Sequence, residues 1–197
     1  ITADLGDLNG AMALLKKQER ISRELGDKKL LSDALFNQAS TLYQLNEPEK
    51  ALPLFSEQER LCRDMGYKSG LARALSGRAA ILYDRGDMDG AMALHKEEES
   101  LFRELGDMAE LNRSLANQAL ILKKKGDRDK QEKLYREQES ISRKLEDKEG
   151  VGRSLSGQAE IFKNLGNKEE AMARYKEAER LFRETGNKAG LCESLAN

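Results

Sequence analysis

The chain has 197 residues, of which 39% are hydrophobic and 35% are charged, and its five Phe, five Tyr and absence of Trp provide little bulk for one large round core. A thin core spread between many neighbouring helices needs less aromatic bulk, so this composition favours a repeat array. The 34 basic and 35 acidic residues give a net charge of −1, which argues against a general nucleic-acid surface and a polybasic membrane surface.

Helices are predicted along almost the whole chain, because apolar residues recur at helical spacing and no segment alternates as a strand would. Gly followed by Asp or Asn recurs between them, a pair suited to ending one helix and capping the next. The helices are expected near residues 8–25, 28–45, 48–65, 68–85, 88–105, 108–125, 128–145, 148–165 and 168–185, with a tenth from about 188. Asn46 and Glu146 stand where the spacing of 20 residues lacks its Gly.

A repeat of 40 residues aligns the chain with itself without gaps. One column holds Leu35, Leu75, Leu115, Leu155 and Leu195, and another holds Ala39, Ala79, Ala119 and Ala159. We interpret both columns as a buried stripe, in which the small Ala lets two helix backbones approach closely. Each repeat contains a first-type helix, which carries the Leu and Ala columns, and a second-type helix. Strict repetition is typical of a solenoid.

Two charged columns lie on the second-type helices. The acids are Glu19, Glu59, Glu99, Glu139 and Glu179, and the bases are Arg23, Arg63, Arg103, Arg143 and Arg183. Each Glu precedes its Arg by four residues, the favourable order for a helical ion pair. Their recurrence indicates either a ladder between repeats or recent duplication.

Two stretches resemble tetratricopeptide repeats. The matching positions are Leu115, Ala119, Leu122, Gly126 and Tyr135 in one repeat and Leu155, Ala159, Phe162, Gly166, Ala171 and Tyr175 in the next. The 40-residue length is similar to the long variants found in kinesin light chain and in spindle-orientation adaptors of the Pins type. Gln131 and Lys133 depart from the pattern, since sister repeats have Ala there apart from Pro53 in the column of Lys133.

The resemblance implies an all-α fold, a right-handed superhelical solenoid of antiparallel helix pairs. Residues 1–197 are then one array of about five helix pairs, a segment of a longer array. Ile1 and Asn197 fall inside columns of first-type helices, and neither end shows polar replacement of its core positions. We therefore expect Leu191 and Leu195 to lack a covering neighbour and the isolated ends to self-associate end to end.

The face opposite the Leu stripe carries the candidate binding residues. Arg113, Asn117, Leu120 and Lys124 form one exposed line on a first-type helix. The resemblance implies that this helix lines a concave groove, where an Asn grips a peptide backbone and Arg binds carboxylates. The predicted peptide-binding residues are Asn37, Tyr43, Arg73, Tyr83, Arg113, Asn117, Lys124 and Arg153.

The groove should be more aromatic near Phe36, Tyr43 and Tyr83 and more basic near Arg113, Lys123, Lys124, Arg153 and Lys163. The leading hypothesis is a non-enzymatic scaffold that binds an extended or helical, partly acidic peptide of a protein partner. The alternatives are an ordinary solvated helix face, or a structural or sensory segment of a larger signalling protein that mediates self-assembly or domain spacing. Asp33 interrupts the Arg column, and Gly77 and Gly157 interrupt the Asn column, so the repeat does not strongly favour Arg or Asn at these positions.

Catalytic chemistry is not predicted. His95 is the only His and shares a column with Phe55, Tyr135 and Tyr175, which indicates a packed or half-exposed ring, and Cys62 and Cys192 are far apart. No glycine motif for phosphate binding follows a strand, and no apolar run approaches the roughly 20 residues that span a bilayer. We expect no cofactor, no metal, no nucleic acid and no membrane, and a cytoplasmic location.

Overall fold

The computed structural model describes the backbone of residues 5–195 and the side chains of residues 10–192. Ten α-helices and no strand occur in that backbone range. They are α1 (Leu5–Leu25), α2 (Lys28–Gln44), α3 (Pro48–Met65), α4 (Lys68–Asp84), α5 (Met88–Leu105), α6 (Met108–Lys125), α7 (Arg128–Lys144), α8 (Lys148–Asn164), α9 (Lys168–Thr185) and α10 (Lys188–Leu195). Even-numbered helices are of the first type and odd-numbered helices of the second.

Helices α2 to α9 begin where predicted and end within one residue of the predicted positions. Helix α1 begins at Leu5, three residues before the predicted start near residue 8, so Gly6 and Asp7 lie inside the helix. An Asp is well placed in the first turn of a helix, where it faces the positive end of the helix dipole. Ile1 lies outside the described residues.

Caps and left-handed residues separate the helices as the sequence predicts. Asp27, Asp107, Asp127, Asp147 and Asn167 each accept a hydrogen bond from the backbone N–H three residues on. Gly26, Gly66, Gly86, Gly106, Gly126, Gly166 and Gly186 have φ between 66° and 83°. Asn46 and Glu146 take the same left-handed conformation, with φ of 60° and 56°.

The helices group into two compact units, Ile1–Leu105 and Gly106–Asn197. Within the first unit, each of α1 to α4 packs against the following helix, and α2 also contacts α4. Within the second unit, each of α6 to α9 packs against the next helix, and α8 also contacts α10. This packing of chain neighbours confirms the predicted all-α helix-pair fold. That residues 1–197 form a single array inside a longer one stays a prediction.

The core is the predicted stripe. Leu35, Ala39, Leu75, Ala79, Leu115, Ala119, Leu155 and Ala159 are all 0–1% exposed. Leu191 is half-buried and packs against a cluster containing Val151, Leu155 and Phe182, whereas the side chain of Leu195 lies outside the described residues.

An ion-pair ladder joins successive second-type helices in each unit. Arg23 binds Glu19 and Glu57, both at 2.9 Å, and Arg143 binds Glu139 and Glu177 at 2.8 and 2.9 Å. Burial by itself raises the pKa of the Glu139 carboxyl, but hydrogen bonds from Gln158 and Arg143 lower that pKa below its ordinary value overall. The ladder predicted as one alternative is therefore present. Each exposed pair contributes little alone, about 0.2–1 kcal/mol.

Aromatic rings of second-type helices pack onto glycines of the following first-type helix. A Cβ built on Gly77 would lie 2.4 Å from the Phe55 ring, and one built on Gly157 would lie 2.5 Å from the Tyr135 ring. These two glycines therefore replace the Asn of the column because a larger residue would displace the ring.

Gly157→Ala should destabilise the chain by about 1–3 kcal/mol, because the new methyl group overpacks against Tyr135. Gly10→Ala is the matched control. Gly10 also lies inside a helix but has no atom within 4 Å of an added Cβ, so Ala should stabilise by about 0.5–1 kcal/mol. Chemical denaturation of both variants measures the difference. Equal effects of the two substitutions would contradict the close ring–glycine contact.

Glu146→Gly should raise the melting temperature, because Glu146 is held at a φ of 56° that a side chain with a Cβ adopts at a cost. The expected gain is about 1 kcal/mol, or about 2–4 °C for a chain of this size. Asn46→Gly should give a smaller gain, since Asn tolerates this conformation better. Differential scanning calorimetry of both variants tests the expectation, and an unchanged or lower melting temperature for Glu146→Gly would refute it.

Candidate functional site

A cavity of about 770 Å³ lies between the first-type helices α6 and α8 of the second unit. Helix α7 contributes Tyr135 and Gln138 to its wall, and α9 contributes Tyr175. The ring of Tyr135 reaches the cavity because Gly157 of α8 leaves room for it. The other lining residues are Ala109, Asn112, Arg113, Ala116, Leu120, Lys123, Leu145, Asp147, Gly150, Arg153, Ser154, Ser156, Gly157 and Glu160.

Polar atoms in the cavity wall have unused hydrogen-bonding capacity. Asn112 donates from Nδ2 to Ser142 Oγ at 2.8 Å, and Gln138 Nε2 donates to the backbone carbonyl of Asn112 at 3.0 Å. Asn112 Oδ1 and Ser156 Oγ are buried atoms with no hydrogen-bond partner among the described residues. Both atoms have almost no solvent-accessible surface, so a group that enters the cavity does not reach them in this conformation.

Charged side chains stand at the cavity rim. Arg113 pairs with Glu110 of its own helix. Arg153 lies 3.5 Å from Glu149 and 3.6 Å from Asp147. Both guanidinium side chains are more than half exposed, at 57% and 60%. Such solvated pairs are weak, so an incoming carboxylate can exchange for them.

Lys123 of α6 and Glu160 of α8 connect the two helices at the other end of the cavity, with 2.6 Å between Lys123 Nζ and Glu160 Oε2. The rim therefore contains acids as well as bases. A ligand that fits it carries some negative charge but is not uniformly acidic.

The corresponding space between α2 and α4 in the first unit is filled by side chains of the chain itself. Arg73 binds Asp33 at 2.5 Å, and its guanidinium carbon lies 4.9 Å from the centre of the Phe36 ring. The Phe36 and Phe55 ring centroids are 6.1 Å apart. Arg73 also donates to the Tyr67 hydroxyl at 3.4 Å. Its charge and its planar face are thus both engaged.

Tyr43 makes a second link between α2 and α4. Its hydroxyl donates to Asp84 Oδ2 at 2.6 Å. Burial, the hydrogen bond to Asp84 and the charge of that carboxylate raise the pKa of Tyr43 to about 12. The phenol therefore keeps its proton at neutral pH and holds the two helices together.

The structure separates the predicted binding residues. Arg113 and Arg153 lie together at the rim of one cavity. Asn117 and Lys124 are on the same α6 helix but do not line that cavity. Asn37 lines a different hollow of about 440 Å³ next to α1. Arg73, Tyr43 and the half-buried Tyr83 belong to the first unit. The binding role of all eight stays a prediction.

The sequence prediction missed the walls of the cavity, among them Ala116, Tyr135 and Gln138. A signal for them was present in the columns, because Ala116 stands where the preceding repeats have Ser76 and Phe36. A large ring replaced by a methyl group at an exposed position indicates an opening.

Groups associated with catalysis are engaged in packing. His95 is buried, as predicted, and its Nδ1 lies 2.6 Å from Glu98 Oε2, a pairing the sequence did not reveal. Burial raises the pKa of the Cys62 thiol, which disfavours the reactive thiolate. No group of three or more potential metal ligands occurs among the described residues. Within the same range, none of the helices has the length and apolar character of a membrane span.

Two family models match parts of the sequence. Residues 153–185 match a model described as tetratricopeptide repeat, and residues 6–85 match one described as anaphase-promoting complex subunit 5. No curated protein matches the chain by sequence.

Solved structures of helical repeats are similar to this chain. A signal transduction ATPase with numerous domains from Pyrococcus horikoshii, which has a tetratricopeptide repeat sensor, has a TM-score of 0.87 at 17% identity, over 96% of this chain and 29% of that one. Kinesin light chain repeats from Podosopora anserina have a TM-score of 0.74 at 14% identity, over 93% and 90%. A Rap protein complexed with competence and sporulation factor has a TM-score of 0.70 at 16% identity, over 96% and 57%. At these identities the similarity shows the fold.

Proposed function

The chain belongs to the tetratricopeptide repeat family, and from this premise we propose that it is a protein-interaction module. Its ligand is an extended or helical, partly acidic peptide of a protein partner, bound between α6 and α8. The observation that carries the proposal is the 770 Å³ cavity with Arg113 and Arg153 at its rim.

The size and chemistry of the cavity support a peptide ligand. Its volume lies within the roughly 300–1,000 Å³ that is typical of ligand sites. The walls offer apolar surface from Ala116, Leu120 and Tyr135, whereas the rim offers two exposed guanidinium groups. Arg presents a planar fork of donors that matches a carboxylate. The Rap protein complexed with competence and sporulation factor gives an example of this fold with another molecule bound.

The first unit supports the proposal less well. Arg73 is bound to Asp33, and Phe36 occupies the space beside it. A peptide would have to displace both interactions before it reached the same position. The proposal therefore rests on Arg113 and Arg153, and the other predicted residues contribute only if the ligand extends beyond the cavity.

A sensory role within a larger protein is the second candidate. The sensor-containing ATPase from Pyrococcus horikoshii supports it, since this chain covers 29% of that protein. Such a segment would report on a bound partner or on self-assembly rather than act as a free adaptor. Light scattering tests the self-assembly form of this role, because a molar mass that rises with concentration shows that the chain associates with itself.

Arg113→Glu and Arg153→Glu should each weaken peptide binding about tenfold, or roughly 1.4 kcal/mol, because each reverses a charge at the rim. The ligands are peptides selected from a random displayed library on the chain, and their affinity is measured by calorimetry. The selected peptides should be enriched in Asp and Glu, and their affinity should fall as salt rises.

Arg180→Glu is the matched control, because Arg180 is an exposed Arg on α9 that does not line the cavity. It should leave the affinity unchanged, and Arg73→Glu should do the same if the first unit is not used. Binding that survives both cavity substitutions, or that is lost equally with Arg180→Glu, would contradict the proposal.

A further inference from the structure

The two units contain matching positions, 80 residues or two repeats apart, at the space between their first-type helices. Several positions are alike in the two units: Phe55 and Tyr135, Gln58 and Gln138, Gly70 and Gly150, Arg73 and Arg153, Gly77 and Gly157. Two positions differ in kind, because Ala116 replaces Phe36 and Arg113 replaces Asp33. The second unit therefore lacks the aromatic ring and the carboxylate that the first unit has at these two positions.

In the first unit, Phe36 lies between two partners. Its ring centroid is 6.1 Å from that of Phe55, at an interplanar angle of 58°, which is a favourable tilted arrangement of aromatic rings. On the other side, the Arg73 guanidinium lies 4.9 Å from the ring centre, within the range of a cation–π interaction.

The second unit keeps both partners but has no ring at that position. Tyr135 and Arg153 line the cavity, and Ala116 leaves the intervening space open. Resting on the proposed function, we propose that this cavity is a subsite for an aromatic side chain of the partner peptide. The side chain takes the place that Phe36 has in the first unit, against Tyr135 and beneath Arg153.

A carboxylate of the same peptide completes the match. In the first unit, Asp33 precedes Phe36 by three residues on α2 and binds Arg73 at 2.5 Å. In the second unit that position holds Arg113, so Arg153 has no acid from α6 equivalent to Asp33 and is paired at 3.5 Å or more. The partner supplies the missing acid, from a residue close to its aromatic residue.

A helical peptide with Glu and Trp three residues apart is the probe for this subsite. The chain itself contains no Trp, so indole fluorescence excited where Tyr does not absorb reports on the probe alone. Binding should shift the emission to shorter wavelength and raise its anisotropy. Replacing Trp by cyclohexylalanine, or Glu by Gln, should each lower affinity about tenfold when measured by calorimetry.

Ala116→Phe should abolish binding of the probe, because the new ring fills the subsite as Phe36 does in the first unit. Ala116→Leu should lower affinity less and serves as a second variant if the larger side chain disturbs folding, which circular dichroism checks. Ala173→Phe is the control, since Ala173 is an exposed position on α9 outside the cavity, and it should bind as the unchanged chain does.

The outcomes separate the subsite from the proposed function. Probe binding that is lost with Ala116→Phe and kept with Ala173→Phe supports the subsite. If library-selected peptides lose affinity with Arg113→Glu but not with Ala116→Phe, the groove binds peptides and the aromatic subsite is wrong. No binding of the probe to the folded chain also overturns the subsite.

Discussion

The packing of an aromatic ring onto a glycine of the following helix shapes the space between the first-type helices in each unit. Phe55 packs on Gly77 in the first unit and Tyr135 on Gly157 in the second. Since the glycine has no side chain, the ring passes the first-type helix and reaches the space between that helix and the preceding first-type helix. The side chain on that preceding helix, Phe36 in the first unit and Ala116 in the second, then determines whether the space is filled.

The two units use this arrangement differently. In the first, Phe36 packs on Phe55, Arg73 covers Phe36, and Asp33 neutralises Arg73. Tyr43 adds a hydrogen bond to Asp84 across the same two helices. In the second, Ala116 and Arg113 remove the ring and the acid together, which leaves an open cavity with two exposed guanidinium groups. The first arrangement thus adds contacts that stabilise the packing of α2 on α4. The second leaves a cavity between α6 and α8.

The sequence predicted the helices and the core well because both depend on local spacing. Leucine and alanine columns recur every 40 residues, and a Gly or its substitute ends each helix. Helix α1 starts three residues earlier than predicted, because Gly6 and Asp7 have the residue types of a turn and yet lie within the helix. Arg113 and Arg153 were identified from their exposed positions, but the cavity was not. Its existence depends on which columns touch across helices, and a repeat alignment does not give that contact.

A crystal structure of the chain soaked with phenol tests the central claim most directly, because phenol has the aromatic ring that the cavity should accept. We expect the phenol ring next to Ala116, against Tyr135 and below Arg153. The space between α2 and α4 should stay occupied by Phe36. A cavity closed by Tyr135 or Arg153, or phenol bound beside Phe36 instead, would contradict the account.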